Sequence, residues 1–129
     1  MSQAYKNYFP LPNVIFSLGL SPGEIAVYSY LLYCEDRKTY QCHPSYKTIG
    51  QAVSMSTNTV QKYIAALGEK GFIGIENTIV ITKFGQKRNG THRYTILPIQ
   101  EAVELYHQRQ LRKLGLDAAK SHLAAQTTV

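Results

Sequence analysis

The sequence predicts one small α+β domain with an additional helix at its C-terminal end. In three short segments between residues 21 and 70, apolar residues recur at helical spacing. From Phe72 the spacing changes to two, which is typical of a β-strand, and a second strand follows a basic loop. After Pro98 the spacing becomes helical again. We therefore expect three core helices, a β-hairpin and a further helix, in that order.

The first helix is marked by the residues that begin it. Residues 9–12 (Phe-Pro-Leu-Pro) predict an extended lead-in, because proline disfavours helix in the residue before it. Ser21 is then expected to cap a helix in which Pro22 fills the first position and Glu24 completes a capping box. This helix should run to about Tyr33. Its inward residues are expected to be Ile25, Tyr28, Leu31 and Leu32.

A second helix and a tight turn are predicted next. Residues 36–43 are polar, with a short strand at residues 40–42, and Pro44-Ser45 begins the helix. Its inward residues are expected to be Tyr46, Ile49, Ala52 and Val53. The apolar spacing after Ile49, with the small Gly50 next to it, suits two short helices that cross steeply. Glycine often occupies the turn position where this chain has Ser54, so a positive φ there would cost some strain.

The third helix, residues 56–70, has two contrasting faces. Ser56 can cap its start, and Gly71 follows its last turn, where a left-handed residue is favoured. Its apolar stripe consists of Val60, Tyr63, Ile64 and Leu67. The opposite face consists of Thr57, Asn58, Gln61 and Lys62. These four side chains are hydrogen-bond donors, and no acid occurs before Glu69, which suits a DNA major groove. The segment is therefore predicted to be a recognition helix.

A basic β-hairpin is predicted directly after this helix. Ile73, Ile75, Ile79 and Ile81 alternate with other residues, with a break near Asn77. Residues 83–90 form a basic loop ending in Asn89-Gly90, a strong turn signal, and residues 91–97 return as the second strand. The hairpin cations are Lys83, Lys87, Arg88 and Arg93. Such a hairpin is expected to act as a wing that holds phosphate or enters the minor groove.

The C-terminal part is predicted to be a helix from residue 99 to about Leu114, ended by Gly115. Asp117 would cap a short helix as far as Leu123, before a frayed tail at residues 124–129. This divides the chain into a DNA-binding domain at residues 1–97 and a helical segment at residues 98–129. The C-terminal helix either forms a homodimer, as palindromic DNA sites favour, or packs on the first helix.

The charge distribution favours a polyanionic partner. The 129 residues include 14 basic and 8 acidic side chains, which gives a net charge of +6. Residues 54–98 contribute six basic and two acidic side chains, so +4 of the +6 lies in the recognition helix and hairpin. A clustered excess of this kind is the electrostatic signature of a nucleic-acid partner.

Several other classes of function are disfavoured by the sequence. Cys34, Cys42 and His43 are one ligand short of a structural zinc site, so no metal or cofactor is expected. The carboxylates lie in separate segments and no nucleophile motif is present, so we expect no catalytic residues and no enzyme activity. No signal peptide or membrane span is predicted, and no small-molecule ligand is implied. We therefore expect a reduced, cytoplasmic protein.

Five segments resemble winged-helix proteins of Gram-positive bacteria and their mobile elements. They are residues 9–13, 20–24, 28–32, 44–50 and 56–60. Some members of this group are transcriptional regulators, and others are the N-terminal domains of plasmid or phage replication initiators. The resemblance covers about residues 9–97 and is most specific at residues 44–72. It implies a winged helix-turn-helix fold and binding to double-stranded DNA without enzyme activity.

Residues 55–62 also resemble the recognition helix of GntR-type regulators, in which arginines commonly contact DNA at the positions of Thr57 and Gln61. The predicted DNA contacts from the helix are Ser56, Thr57, Asn58, Thr59, Gln61 and Lys62. Gln61 and Asn58 are expected to read base edges, since their amides can pair with adenine. The function expected is sequence-specific DNA binding by a transcriptional regulator. The alternatives are a replication-initiator domain and a winged helix that binds protein.

Overall fold

The computed structural model describes residues 7–127, without the side chains of Val80, Arg88, Asn89 and residues 117–127. A short 3-10 helix, Asn13–Ser17, precedes the first α-helix. The elements that follow are α1 (Pro22–Cys34), β1 (Gln41–Cys42), α2 (Tyr46–Val53), α3 (Thr57–Glu69), β2 (Ile73–Glu76), β3 (Ile79–Ile81), β4 (Lys87–Asn89), β5 (Arg93–Ile96) and α4 (Ile99–Thr127).

A single apolar core lies between the first three helices and a small sheet. Its fully buried side chains include Ile15, Val27, Leu31, Ile49, Val60, Leu67 and Tyr94. Tyr28 of α1 meets Phe72 edge to face, with ring centroids 5.3 Å apart, at the point where α3 gives way to β2. Burying these side chains supplies the main driving force for the fold. The core therefore fixes α3 against the sheet from which the hairpin extends.

The predicted starts of the three core helices and the glycine after α3 are confirmed. The backbone N–H of Glu24 donates to Ser21 Oγ at 3.2 Å, and the N–H of Ser21 donates to Glu24 Oε1 at 3.3 Å, which completes the capping box. Ser45 and Ser56 cap α2 and α3 by accepting the backbone N–H of Thr48 and Thr59, without a reciprocal carboxylate. Gly71 has φ = +82° after the last turn of α3, as expected of a left-handed C-terminal residue.

The inward face of two helices differs in part from the prediction. In α1, Tyr28, Leu31 and Leu32 are buried as predicted, and Val27 is fully buried although it was not predicted to be. In α2, Ala52 was predicted to face inward and is exposed. The buried face of α2 is centred on Ile49 and Gly50, and Ala52 is rotated by roughly 200° from Gly50 at about 100° per residue.

The turn between α2 and α3 is tight. Ser54 has φ = +59° and ψ = +48°, which places this serine in the left-handed region. The next residue, Met55, donates its backbone N–H to the Gly50 carbonyl at 2.9 Å. A non-glycine residue in this conformation costs roughly 1–2 kcal/mol. Ser54 therefore bears the strain that the sequence predicted for a positive φ.

The hairpin turns at a different place from the one predicted. Asn89-Gly90 was predicted to form the turn, but Asn89 ends β4, and the chain reverses between β3 and β4, where Gly85 has φ = +75°. The outer strands pair as Ile79↔Asn89 and Ile81↔Lys87. Gly90 donates its N–H to the Thr78 carbonyl at 2.8 Å, at the break between the two halves of the hairpin. The predicted interruption near Asn77 is confirmed.

The base of the hairpin belongs to a three-stranded antiparallel sheet in the order β1-β5-β2. In the register of β2 and β5, Ile73 lies opposite Ile96 and Glu76 lies opposite Arg93. We call the outer hairpin, residues 79–89, the wing. It is a separate two-stranded ribbon, β3 with β4, that projects beyond this sheet.

The C-terminal helix is longer than predicted. Gly115 was expected to end it and Asp117 to start another, but α4 runs continuously from Ile99 to Thr127. Gly115 does not have a positive φ, and a glycine within a helix costs only about 1 kcal/mol relative to alanine. The flanking leucines, lysine and alanines favour helix and outweigh that cost. Of the tail predicted at residues 124–129, the last two residues lie outside the described part.

The first half of α4 packs on the domain. Ala102 is 1% exposed, and Gly71 lies so close that a Cβ at this position would be 3.2 Å from Leu105 Cδ2. Tyr106 lies next to Gly19, at the end of the lead-in. Together the three core helices, the sheet and the wing form a winged helix-turn-helix fold with an appended C-terminal helix, as the sequence predicts.

Candidate nucleic-acid interface

One face of α3 is free of the core. Val60, Ile64 and Leu67 are buried against the other helices. The side chains on the opposite face, here called the donor face, are Thr57, Asn58, Gln61 and Lys62, and all four are exposed. The sequence contains no Asp or Glu between Ser54 and Gly68, so no carboxylate of α3 interrupts this face. The donor face can therefore offer amide, hydroxyl and ammonium groups to a partner.

The two remaining predicted residues of α3 help to begin the helix. Ser56 Oγ accepts a hydrogen bond from the backbone N–H of Thr59 at 3.2 Å and lies 2.9 Å from Thr59 Oγ1. These hydroxyls are therefore engaged with each other and with the backbone. Ser56 and Thr59 fix the first turn of α3 and present less free hydrogen-bonding capacity than the donor face.

An ion pair ties the C-terminal end of α3 to the start of α1. Lys70 Nζ lies 2.7 Å from Glu24 Oε2, and Glu24 is buried. Burial raises the pKa of the Glu24 carboxyl, but the hydrogen bonds from Lys70 and Ser21 lower it by more, so its pKa falls below the ordinary value. The carboxylate is therefore charged at neutral pH, and it holds both the capping box and the C-terminal end of α3.

Two further contacts hold α3 in place. The Tyr63 ring lies over Gly23 of α1, where a Cβ would be 2.3 Å from the ring. At the end of α3, Arg109 of α4 donates from Nη2 to the Glu69 carbonyl at 2.7 Å, which satisfies one of the free carbonyls of the last turn. The middle and the C-terminal end of the helix are thus held against α1 and α4. The donor face is displayed on a rigid support, as a base-reading helix requires.

The tip of the wing is basic. Lys83 and Lys87 are exposed on either side of the reversal, and the sequence has no acid from residue 77 to residue 100. The backbone of Arg88 lies in β4, and its side chain is among those outside the described part. The wing and the donor face are thus both free of sequence acids, which a polyanion would favour.

Arg93 lies in a different environment from Lys83 and Lys87. It belongs to β5 in the three-stranded sheet, and its Nε lies 3.8 Å from Oε2 of Glu76 on the neighbouring strand. Both side chains are well exposed, so this pair contributes little to stability. Its effect is to offset the charge of Arg93 locally. Arg93 stays a predicted DNA contact, at the base of the hairpin and not at its tip.

Two exposed residues that the sequence analysis passed over also belong to this surface. Lys47 lies in the first turn of α2, the helix that in helix-turn-helix proteins crosses the DNA backbone. Phe84 lies at the tip of the wing and is 89% exposed. The position of Lys47, three residues after Pro44, was a signal available in the sequence. The exposure of Phe84 was not, because an apolar residue in a loop can equally fold back onto the core.

The other groups considered in the sequence lie apart from this surface. Cys42 is buried and its Sγ lies 3.7 Å from the Leu31 carbonyl, and burial raises the pKa of its thiol to about 12. Among the side chains that the structure describes, no group of three or more His, Cys, Asp or Glu is arranged to hold a metal ion. None of the described helices is both long and apolar enough to cross a membrane.

Comparison with known proteins agrees with this architecture. Residues 18–73 match the sequence model of a family described as a helix-turn-helix domain. This match runs from the end of the lead-in through α1, α2 and α3 to the start of β2, and therefore includes the donor face but not the wing. No curated protein is similar enough in sequence to be matched to this chain.

Two solved structures were matched to this chain by shape. One is a possible transcriptional regulator from Methanosarcina mazei Go1, with 17% identity, a TM-score of 0.52, and 83% of each chain covered. The other is a MarR family transcription regulator, with 18% identity and a TM-score of 0.46, in which the match covers 88% of this chain and 69% of that one. At such low identity the first likeness indicates a shared fold.

Proposed function

We propose that this chain binds double-stranded DNA and acts as a transcriptional regulator, with α3 in the major groove and the wing on the backbone or minor groove. The observation that supports this most strongly is the pairing of two acid-free surfaces on one rigid frame. The helix that carries the donor face is capped by Ser56 and tied to α1 through Lys70, and the wing extends from the same core. The Methanosarcina mazei protein of similar fold is itself a possible transcriptional regulator, which is consistent with the proposal.

The proposed contacts divide into two classes. Gln61 and Asn58 would read base edges, because an exposed amide can donate to and accept from adenine at once. Phosphate contacts would come from Thr57 and Lys62 of α3, with Ser56 and Thr59 at its first turn. In the wing region Lys83, Lys87, Arg88 and Arg93 would hold the backbone, which positions the protein without reading sequence.

The wing contacts can be tested by the salt dependence of binding. In fluorescence anisotropy with a random duplex, we expect binding that weakens steeply with salt, because phosphate contacts release counterions. The variant Lys83→Ala/Lys87→Ala should lower affinity and make the slope of log K against log salt shallower by roughly two.

A matched control is available on α4. The variant Arg112→Ala/Lys113→Ala also removes two exposed cations. These residues follow Arg109, which contacts the C-terminal end of α3, so they lie away from the first turn of α3 and from the wing. This variant should leave the slope of the wild type unchanged. If the wild type fails to bind any duplex at low salt, the donor face and wing serve a protein partner, and the DNA-binding proposal is wrong. If the wing variant and the α4 control give the same slope of log K against log salt, the wing does not contact phosphate, and only that part of the proposal is wrong.

We also propose that the chain forms a homodimer through the second half of α4, with the winged domain at residues 1–97 as the DNA-binding unit. Beyond Arg109 the helix has left the domain, and Leu111, Leu114 and Leu116 are all exposed. Isolated helices with exposed leucines gain stability by packing against a partner. A second copy would satisfy this and give the two-fold symmetry that palindromic sites require.

The dimer is best tested by substitution and not by truncation. A chain ending at Pro98 would lose Ala102, which belongs to the core, so its folding would be impaired. Leu111→Lys/Leu114→Lys should convert a dimer to a monomer in sedimentation equilibrium, while Arg112→Ala/Lys113→Ala stays dimeric. A monomeric wild type at the highest concentrations used would exclude the dimer.

A further inference from the structure

The wing tip displays an aromatic side chain on a hydrogen-bonded turn. Phe84 is 89% exposed, the largest exposure of any large apolar side chain in the described part. The tip around it is held by hydrogen bonds. Thr82 donates its backbone N–H to the Gln86 carbonyl at 2.9 Å, and Gly85 donates to the Thr82 carbonyl at 3.0 Å. The left-handed Gly85 allows this tight reversal, so Phe84 projects from an ordered turn.

The tip of the wing combines apolar and cationic side chains. Ile79 and Ile81 are 65% and 69% exposed, and their side chains lie on one face of the ribbon because they are two residues apart. Lys87 pairs with Ile81 across the ribbon, and Lys83 immediately precedes Phe84. An exposed cluster of large apolar groups is unfavourable in water and marks an interaction surface. Its partner must accept apolar groups and carry negative charge beside them.

The minor groove of DNA meets both requirements. Its walls present sugars and phosphates, and its floor exposes the edges of stacked base pairs, between which proteins insert phenylalanine and other apolar wedges. The undistorted minor groove is about 6 Å wide, whereas the major groove, about 12 Å wide, admits a two-stranded ribbon. A wing directed at the minor groove would therefore enter by a single side chain at its tip. The side chain at that position is Phe84.

We propose that Phe84 is a wedge that inserts into the minor groove at a base step and partly unstacks it, while Lys83 and Lys87 hold the phosphates on either side. This rests on the proposed DNA-binding function and adds a positioning and shape-selective residue to it. Flexible pyrimidine–purine steps such as TA open at the lowest cost, so the wedge would favour sites with such a step under the wing. Sequence preference would then extend beyond the bases that α3 reads.

If Phe84 is a wedge, its removal should lower the affinity for DNA without changing the salt dependence of binding. Phe84→Ala should weaken binding by about tenfold, because stacking of an aromatic side chain on a base is worth roughly 1–3 kcal/mol. The slope of log K against log salt should match the wild type, since no phosphate contact is removed. Lys87→Ala should instead make the slope shallower by about one. Phe84→Leu, which retains an apolar wedge, should lose less affinity than Phe84→Ala.

Unstacking can be observed directly. We would use an A·T-rich duplex with 2-aminopurine at its TA steps, because the fluorescence of this base rises when it unstacks. Wild-type protein should raise the fluorescence, Phe84→Leu should raise it less, and Phe84→Ala should leave it unchanged at saturation. Phe84 buries almost none of its surface in the protein, so all variants should melt at the same temperature.

The outcomes separate the two proposals. If Phe84→Ala binds as tightly as the wild type and raises the 2-aminopurine fluorescence to the same extent, the wedge is wrong and DNA binding stands. A weaker Phe84→Ala complex with no 2-aminopurine response from the wild type also overturns the wedge, because Phe84 then contacts the groove wall only. If the wild type binds no duplex at low salt, both proposals fail.

Discussion

A Gly50→Ala variant is expected to lose about 2–3 kcal/mol of unfolding free energy, although alanine is the better helix former by about 1 kcal/mol. Gly50 is buried in α2, and a Cβ there would lie 2.4 Å from the Met55 carbonyl oxygen. The obstacle is backbone, in a turn already strained at Ser54, and it cannot rotate away as a side chain would. The Gly50 carbonyl also accepts the Met55 N–H at 2.9 Å, so a shift would break this hydrogen bond.

Urea denaturation followed by circular dichroism would measure this loss. The matched control is Gly115→Ala in α4, where a Cβ would meet nothing within 4 Å. Helix propensity alone acts there, and the stability should stay the same or rise by up to about 1 kcal/mol. A Gly50→Ala protein as stable as the wild type would show that the turn relaxes without cost. The close approach of α2 and α3 would then not depend on glycine.

The Gly50→Ala substitution should also affect DNA binding. Displacing Met55 changes how α3 leaves the turn, and the donor face of α3 would point in another direction relative to the wing. Under conditions where the variant is still folded, we expect weaker binding to DNA than that of the wild type. The effect would be one of positioning, since Gly50 itself offers no side chain to a partner.

Local rules predicted the helices and the donor face because each depends on neighbours in sequence. Ser21, Ser45 and Ser56 each cap the helix that follows within three residues. The stripe of Val60, Ile64 and Leu67 is likewise fixed by helical period alone. The strain at Ser54 was also predictable, because it follows from comparing one position with the usual turn residue.

The hairpin shows where local rules are insufficient. Asn89-Gly90 is a strong turn signal by composition, yet the register is set by distant pairing of Ile73 with Ile96 and Ile79 with Asn89. With those registers the chain reverses at Gly85, which also tolerates a positive φ. The interaction of Arg93 with Glu76 also depends on the strand register, which places the two residues opposite each other. A sequence scan that counts cations on the hairpin does not reveal which one has a carboxylate opposite it.

The helix after Pro98 was misjudged for a different reason. Gly115 is a helix-ending signal only when it adopts a left-handed conformation, and that choice depends on whether another structure follows. Here good helix formers continue beyond it, so α4 extends to Thr127. The contact of Arg109 with Glu69, forty residues apart, was likewise invisible in the sequence. The Arg109 contact makes the first half of α4 part of the support of α3.

Removal of the Glu24 carboxylate is expected to have an effect of similar size to that of Gly50→Ala. Glu24→Ala should lose about 2–3 kcal/mol of unfolding free energy, because it removes the capping-box hydrogen bond to Ser21 and leaves Lys70 half-buried without its partner. Glu24→Gln keeps an oxygen for the Ser21 N–H and loses only the charge. It should therefore cost less than Glu24→Ala, and urea denaturation at neutral pH would rank the two.

The pKa of Glu24 predicts how its contribution to stability changes with pH. The pKa of Glu24 in the folded protein lies below its ordinary value of 4.5, so the folded state favours the charged carboxylate more than the unfolded state does. Its contribution should be fully present above about pH 4.5 and be lost as the pH falls through the lower, folded-state pKa. The stability difference between wild type and Glu24→Gln should therefore shrink on acidification. A difference that stays constant down to pH 3 would exclude the ion pair as its source.

This pair also links stability to the proposed function. Lys70 follows the last turn of α3, and Glu24 belongs to the first turn of α1, so the contact fixes the end of the recognition helix that is remote from Ser56. Loss of Glu24 should therefore let the C-terminal end of α3 move while its cap and donor face stay intact. Glu24→Ala should weaken DNA binding without making the salt slope shallower, because none of the cations proposed to contact phosphate is removed. A shallower slope would instead show that Lys70, once released, had rearranged the phosphate contacts.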